Sequence, residues 1–105
     1  MFQQLRNKDF ESALQEDENA VLIDVRTASE YEQGHIPNSM NLDIMGADFE
    51  SQVKSLDPEK NYFMYCRSGA RSANACMVLK HLGFRNKIVN LEGGILDWTG
   101  EVSLD

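Results

Sequence analysis

One short segment of this sequence combines a cysteine with the groups that would activate it. Cys66 ends an apolar run, and Arg67, Gly69 and Arg71 follow before a stretch of helix-forming residues. We therefore expect Cys66 at the carboxyl end of a strand, facing a helix N-terminus. Free N–H groups and the helix dipole stabilise negative charge there, which predicts a thiol pKa below the ordinary value of about 8.5.

The loop after Cys66 is suited to binding an anion. Glycine lets the backbone turn so that successive N–H groups point inward, and the two arginines add full positive charges. The same groups that favour a thiolate would hold an anionic sulfur donor such as thiosulfate. The substrate-binding residues that we expect are Arg67, Ser68, Gly69, Ala70 and Arg71.

A structural interpretation of the same segment stands beside the functional one. Cys66 could be a small buried residue that closes a strand, with the arginines ion-paired in a solvated loop. The cysteine, the glycine and both arginines occur together between a strand and a helix, however. This combination favours a nucleophilic cysteine.

The second cysteine, Cys76, lies ten positions further on, inside the predicted helix. Two interpretations are open, a thiol that resolves a persulfide on Cys66 or a core residue on the same face as Ala73 and Met77. A helix rises about 1.5 Å per residue, so Cys76 should lie more than a turn below the loop. We favour the core interpretation.

Asp24 and Arg26 come at the carboxyl end of another apolar run and should approach the same rim as Cys66. They would support the site rather than bind substrate. One possibility is that they tune the charge of the loop. The favoured one is a buried ion pair that fixes the strand ends, with Glu30 or Glu92 as a further partner.

Apolar runs without polar alternation indicate the strands of the fold. They occur at 21–25, 62–66 and 87–91 and are typical of strands buried on both faces of a sheet. Shorter strands are expected at 40–42 and within 2–5.

Helical spacing occupies the segments between these runs. Asn7 is expected to cap a helix that buries Phe10 and Leu14, and Thr27 with Glu30 fits a capping box. Strands that alternate with helices predict an α/β fold with a mostly parallel sheet.

Composition limits the classes of function. The 105 residues fit a single domain over 1–105, and a net charge of −7 argues against a nucleic-acid partner. No apolar stretch is long enough to cross a membrane and no apolar leader is visible, which predicts a cytoplasmic protein without a membrane partner. The two cysteines and two histidines lack metal-ligand spacing, so neither a metal nor a cofactor is expected.

Three motifs in order resemble the rhodanese family over nearly the whole chain. They are the segments 22–26 and 30–39, which contain Asp-Val-Arg and Gly-His-Ile-Pro, the loop 66–72, and Gly-Gly-Ile at 93–95 with Trp98. The resemblance implies a three-layer α/β/α fold around a five-stranded, mostly parallel sheet. It also implies that Cys66 carries a persulfide, cradled by the loop amides and arginines, and that thiosulfate or another sulfane donor is the substrate.

The length of the loop separates two groups within this fold. Cell-cycle dual-specificity phosphatases share the fold but have five residues between cysteine and arginine, a ring that accommodates phosphate. Only four residues separate Cys66 from Arg71 here. The shorter ring favours sulfur transfer over phosphoryl transfer.

The leading hypothesis is a thiosulfate:acceptor sulfurtransferase. Cys66 would take a sulfane sulfur from thiosulfate or a persulfide and pass it to cyanide, a small thiol or a protein thiol. A second hypothesis is a relay module whose substrate is a persulfide on another protein. A third is an anion-sensing interaction domain without catalysis, which the intact cysteine, glycine and arginines disfavour. The sequence carries no signal of oligomeric state.

Overall fold

The apolar runs of the sequence become the strands of one sheet in the computed structural model, which describes residues 2–105. The strands are β1 (Gln3–Arg6), β2 (Ala20–Asp24), β3 (Met40–Asn41), β4 (Asn61–Tyr65) and β5 (Ile88–Glu92). The helices between them are α1 (Asn7–Glu16), α2 (Ala28–Glu32), α3 (Phe49–Lys54) and α4 (Ala70–His81), followed by a short 3₁₀ turn at Ile95–Asp97.

The five strands lie in the order β1-β5-β4-β2-β3, and each neighbouring pair is parallel. β4 is central, with Met64 beside Ile23 of β2 on one side and Asn90 of β5 on the other. Since parallel strands end at the same edge, the residues after β2, β4 and β5 meet there. The predicted α/β class and five-stranded sheet are confirmed.

Helices cover both faces of the sheet and give three layers. One core cluster joins Phe49 and Val53 of α3 with Ala75 and Leu79 of α4 against the sheet. On the opposite face, Phe10 of α1 is fully buried and meets the Phe63 ring edge-on at 5.5 Å. Burying a side chain of this size contributes about 1.5–3 kcal/mol, so these contacts hold the site-bearing edge in place.

The capping predictions for the first two helices have different outcomes. Thr27 and Glu30 form the expected capping box, with the Glu30 N–H donating to the Thr27 hydroxyl at 3.2 Å. Asn7 was expected to cap α1 but is its first helical residue, and Arg6 occupies the cap position. The Asn7 side-chain oxygen instead accepts from the N–H and hydroxyl of Thr99.

The buried face of α4 differs from the expected one. Ser72, Ala75, Cys76 and Leu79 are buried, whereas Met77 is 59% exposed. Cys76 is therefore a core residue, as favoured above, but its face is shared with Leu79 rather than with Met77. None of the helices formed by residues 2–105 is long and apolar enough to span a membrane.

Candidate active site

Cys66 directly follows the central strand β4, and its sulfur lies against the N-terminus of α4. The side chain is 1% exposed. Its Sγ accepts hydrogen bonds from the Gly69 N–H at 3.1 Å and from the N–H and hydroxyl of Ser72, each at 3.4 Å. Several donors that converge on one sulfur form an anion site.

These hydrogen bonds determine the ionisation of the Cys66 thiol. Burial alone raises its pKa, but hydrogen bonds from the Ser72 side chain and from the N–H groups of Ser72, Gly69 and Ser68 outweigh burial. The net pKa lies below the ordinary thiol value. Burial without such donors raises the pKa of Cys76 to about 12, so that residue stays a thiol.

The loop is fixed from the side of β5. The Gly69 carbonyl accepts from the Asn90 side-chain amide at 3.1 Å, and Gly69 itself has φ +100°, a conformation that favours glycine. A Cβ on Gly69 would meet the Gly93 nitrogen at 3.1 Å and the Leu91 oxygen at 3.2 Å. The positions of these backbones therefore require glycine at this turn.

The turn after β5 holds the other half of the loop. The N–H of Ile95 donates to the Cys66 carbonyl at 2.9 Å, and the N–H of Leu96 donates to the Arg67 carbonyl at 3.1 Å. These two hydrogen bonds fix the first residues of the loop to the turn after β5. Gly94 allows the approach, because a Cβ there would stand 2.6 Å from the Ser68 nitrogen.

The two loop arginines have different surroundings. Arg71 forms a bidentate ion pair with the Glu30 carboxylate, with N–O distances of 2.8 and 3.0 Å. The Arg71 hydrogen bonds lower the pKa of Glu30 to about 2, so this carboxylate stays charged. Arg67 is exposed and lines a cleft of about 260 Å³ together with Glu30 and Leu96.

Asp24 and Arg26 form a buried ion pair at the end of β2. The Arg26 guanidinium donates to both oxygens of the Asp24 carboxylate, with a shortest distance of 2.6 Å, and to the Gly34 carbonyl at 2.7 Å. This geometry is that of the favoured ion-pair interpretation. Glu30 and Glu92, named as further partners, pair instead with Arg71 and Arg6.

A sequence profile described as the rhodanese-like domain matches residues 7–101. The chain belongs to the rhodanese family. YtwF of Bacillus subtilis, provisionally named a sulfurtransferase, is 41% identical over 88 residues, which cover 84% of this chain and 82% of that protein. A sulfurtransferase of Allochromatium vinosum is 32% identical over 98 residues, which cover 93% and 89% of the two chains.

A solved structure agrees with this assignment. The crystal structure of a rhodanese-related protein from Thermoplasma volcanium has a TM-score of 0.84 and 31% identity, covering 99% of this chain and 100% of that one. Both relatives named above are sulfurtransferases by name.

Sequence reasoning missed three contacts at the rhodanese site. Ser72 donates twice to the Cys66 sulfur, Glu30 holds Arg71, and Asn90 holds Gly69. A hydroxyl placed directly after Arg71 on the first turn of a helix could have indicated Ser72. Arg71 and Glu30 are 41 positions apart, and no local pattern connects them.

The expected loop residues are brought together, although with unequal exposure. Gly69 is buried, while Arg67, Ser68 and Ala70 are exposed. The Ser68 N–H helps to lower the pKa of the Cys66 thiol, and Ala70 begins α4. Of the groups expected to bind substrate, the loop thus offers N–H groups directed at the buried sulfur and one exposed guanidinium, that of Arg67.

Proposed function

We propose that this rhodanese is a sulfurtransferase that carries a sulfane sulfur as a persulfide on Cys66. The observation that carries the proposal is the set of hydrogen bonds from Gly69 and Ser72 to the Cys66 sulfur. They stabilise a thiolate, which is the nucleophilic form of cysteine. The same donors would stabilise the negative charge of a persulfide at this place.

The reaction has two displacement steps. The Cys66 thiolate attacks the outer sulfur of thiosulfate or of a persulfide, the donor S–S bond breaks, and its electron pair leaves with sulfite or a thiolate. An acceptor, either cyanide or a thiolate on a small molecule or protein, then attacks the outer sulfur of the enzyme persulfide. The Cys66 thiolate is regenerated. A separate general base is unnecessary when the loop hydrogen bonds favour the thiolate in this way.

Each loop residue has a proposed part in binding. The N–H groups of Ser68 and Gly69 and the start of α4 at Ala70 surround the reacting sulfur, while Arg67 attracts the donor anion at the mouth of the cleft. Arg71 adds a charge whose effect is reduced by its pairing with Glu30. Asp24 and Arg26 support this rim by fixing the end of β2 and the Gly34 turn. The chemistry calls for no cofactor, and we propose a cytoplasmic location, where thiols stay reduced.

The test is loss of sulfur loading in Cys66→Ser. The wild-type protein should gain the mass of one sulfur atom after treatment with a sulfane donor, and should form thiocyanate when cyanide is added. The Cys66→Ser variant should do neither while keeping its melting temperature. Cys76→Ala is the matched control and should retain sulfur loading. Undiminished loading of Cys66→Ser would contradict the proposal.

A second candidate is a relay between proteins, favoured by the exposed apolar side chain beside the cleft. Leu96 is 60% exposed next to Arg67, a combination that suits contact with another polypeptide. A relay protein should pass sulfur faster to a protein thiol than to cyanide. Comparing the decay of preloaded Cys66 persulfide with each acceptor separates the two candidates.

A further inference from the structure

Asn90 is a polar residue in a strand whose neighbours are apolar. It is 1% exposed in β5, between Val89 and Leu91, which are fully buried. Its side-chain nitrogen Nδ2 donates to the Gly69 carbonyl at 3.1 Å and to Gln4 Oε1 at 2.8 Å. Its oxygen Oδ1 accepts no hydrogen bond from any residue in 2–105. An unpaired buried acceptor destabilises a fold, so packing alone does not favour asparagine at this position.

The two acceptors determine which way the Asn90 amide faces. The Gly69 carbonyl and Gln4 Oε1 both contact the same side-chain atom, and only the NH₂ group of an amide can donate two hydrogen bonds. With the amide reversed, Oδ1 would face the Gly69 carbonyl, and both atoms are acceptors. Strand β5 therefore presents a hydrogen-bond donor to the cysteine loop.

The bond from Asn90 completes the support of the loop from the side of β5. The turn after β5 holds the carbonyls of Cys66 and Arg67, and Asn90 holds the carbonyl of Gly69. The peptide that joins Ser68 to Gly69 lies between these fixed carbonyls. Its N–H is the one that donates to the Cys66 sulfur at 3.1 Å. The donor with the shortest hydrogen bond to the sulfur thus has both of its flanks fixed by β5 and the turn that follows it.

We propose that Asn90 is a positioning residue for the chemistry of Cys66, because its side chain holds the Gly69 turn with the Gly69 N–H directed at the sulfur. A buried side chain that makes this contact while leaving its own oxygen unpaired is the observation that carries the proposal. Proteins keep residues that break a packing rule chiefly at functional sites. The inference takes from the proposed function only that Cys66 is the reacting residue.

Gly69 depends on outside support because glycine does not restrict its own backbone. It has φ +100°, and glycine adopts positive and negative φ about equally readily. A loop that left this conformation would lose the hydrogen bond from the Gly69 N–H to the sulfur. The bond from Asn90 restricts that freedom, and it does so without contacting Cys66 itself.

The experiment measures alkylation of Cys66 by iodoacetamide in Asn90→Ala, with no sulfur donor present. Alanine removes the Nδ2 donor and the unpaired oxygen together. The Ala73 N–H still donates to the Gly69 carbonyl at 3.1 Å, so α4 keeps its first hydrogen bond. The alkylation rate at pH 7 should fall about tenfold, the order expected when one hydrogen bond to a charged sulfur is lost. The pH profile of alkylation should move to higher pH.

Asn61→Ala is the matched control. The Asn61 side chain also joins separate segments, since its Nδ2 donates to Asp17 at 2.9 Å and its Oδ1 accepts from the Lys87 N–H at 3.1 Å. Asn61 begins β4, at the opposite end of the strand from Cys66. Asn61→Ala should lower the urea midpoint and leave the alkylation profile unchanged. Asn90→Ala should change the profile with a smaller loss of stability, because it also removes an unpaired oxygen from the core.

Amide hydrogen exchange at Gly69 tests the positioning directly. In the wild-type protein the Gly69 N–H should exchange slowly, because it is bonded to a buried sulfur. In Asn90→Ala it should exchange about tenfold faster, while the amides of β4 keep their rates. Exchange of the wild-type Gly69 N–H as fast as in an unstructured peptide would overturn the inference even if Asn90→Ala failed to fold.

The remaining outcomes separate this inference from the proposed function. An unchanged alkylation profile in Asn90→Ala, or an equal shift of the profile in Asn61→Ala, would overturn the role of Asn90. A wild-type protein that takes no sulfur from any donor would overturn the proposed function. Alkylation and hydrogen exchange need no sulfur transfer, so they would still decide whether Asn90 positions the loop.

Discussion

Ser72 donates two hydrogen bonds to the Cys66 sulfur, one from its N–H and one from its hydroxyl, both at 3.4 Å. The N–H group belongs to the first turn of α4 and would be present with any residue there except proline. The hydroxyl is specific to the side chain, and it is the largest single contribution that lowers the Cys66 pKa. A substitution of Ser72 by alanine therefore removes the hydrogen bond from the hydroxyl and keeps the one from the N–H group.

Ser72→Ala should raise the pKa of Cys66, because the lost hydrogen bond stabilises the thiolate more than the neutral thiol. At pH 7 the rate of alkylation by iodoacetamide should fall about tenfold, the lower end of the effect expected for one hydrogen bond to a charged group. The pH profile of alkylation measures the change, and Ser51→Ala on the surface of α3 is the control. An alkylation profile that coincides with that of the wild-type protein would show that the hydroxyl does not hold the sulfur ionised.

The two cysteines should affect stability in alkaline solution differently. The pKa of Cys76 is about 12 in the folded protein, so between roughly pH 9 and 12 the unfolded chain has lost a proton that the folded chain keeps. Folding stability should fall over that range by up to about 1.4 kcal/mol per pH unit from this group. The pKa of Cys66 is lowered instead, so its contribution is present above its unfolded pKa and is lost as the pH falls through its folded pKa.

Urea unfolding of Cys76→Ala between pH 8 and 10.5 tests the prediction for the buried thiol. The variant should be less stable at pH 8, because a small cavity replaces the sulfur. Its stability should decline less steeply with pH than that of the wild-type protein. Parallel declines in the two proteins would mean that Cys76 ionises at an ordinary pKa.

Gly94 and Gly83 provide a matched pair for testing the support of the loop. Both have positive φ, +67° and +93°, so alanine strains the backbone at either position. A Cβ on Gly83 would point into open space, whereas a Cβ on Gly94 would strike the backbone of Arg67 and Ser68. Gly94→Ala should abolish sulfur loading and Gly83→Ala should retain it, with a stability cost of about 1–2 kcal/mol. Equal sulfur loading by the two variants would show that the loop does not depend on its contact with the turn after β5.

Much of the fold follows from local patterns in the sequence. The apolar run before Cys66 becomes β4, and the cysteine therefore lies at the edge where parallel strands end. The capping box of Thr27 and Glu30 forms as expected, because its partners are three residues apart. The prediction that Asn7 caps α1 was wrong, because the Asn7 side-chain oxygen accepts a hydrogen bond from Thr99, 92 positions away.

The contacts that tune the site are long-range and could not be predicted in this way. Glu30 pairs with Arg71 only because the ends of β2 and β4 are adjacent in the sheet. Asn90 reaches the Gly69 carbonyl because β5 lies beside β4. A sequence shows which residues carry charge, whereas the fold determines which charges cancel.

Glu30 and Arg71 should behave as a coupled pair. Arg71→Gln removes a guanidinium that interacts with the charge of Cys66 and leaves the Glu30 carboxylate without its partner, so the thiolate should be disfavoured and alkylation at pH 7 should slow. Arg67→Gln removes a guanidinium that forms no ion pair among residues 2–105, and it should slow donor binding more than alkylation. The double variant Glu30→Gln/Arg71→Gln removes both charges, and alkylation should recover toward the wild-type rate.

A double-mutant cycle on the alkylation rate measures the coupling between Glu30 and Arg71, and residues in one network typically give a coupling energy of about 0.5–3 kcal/mol. Additive effects of the two substitutions would show that the ion pair and the sulfur do not interact.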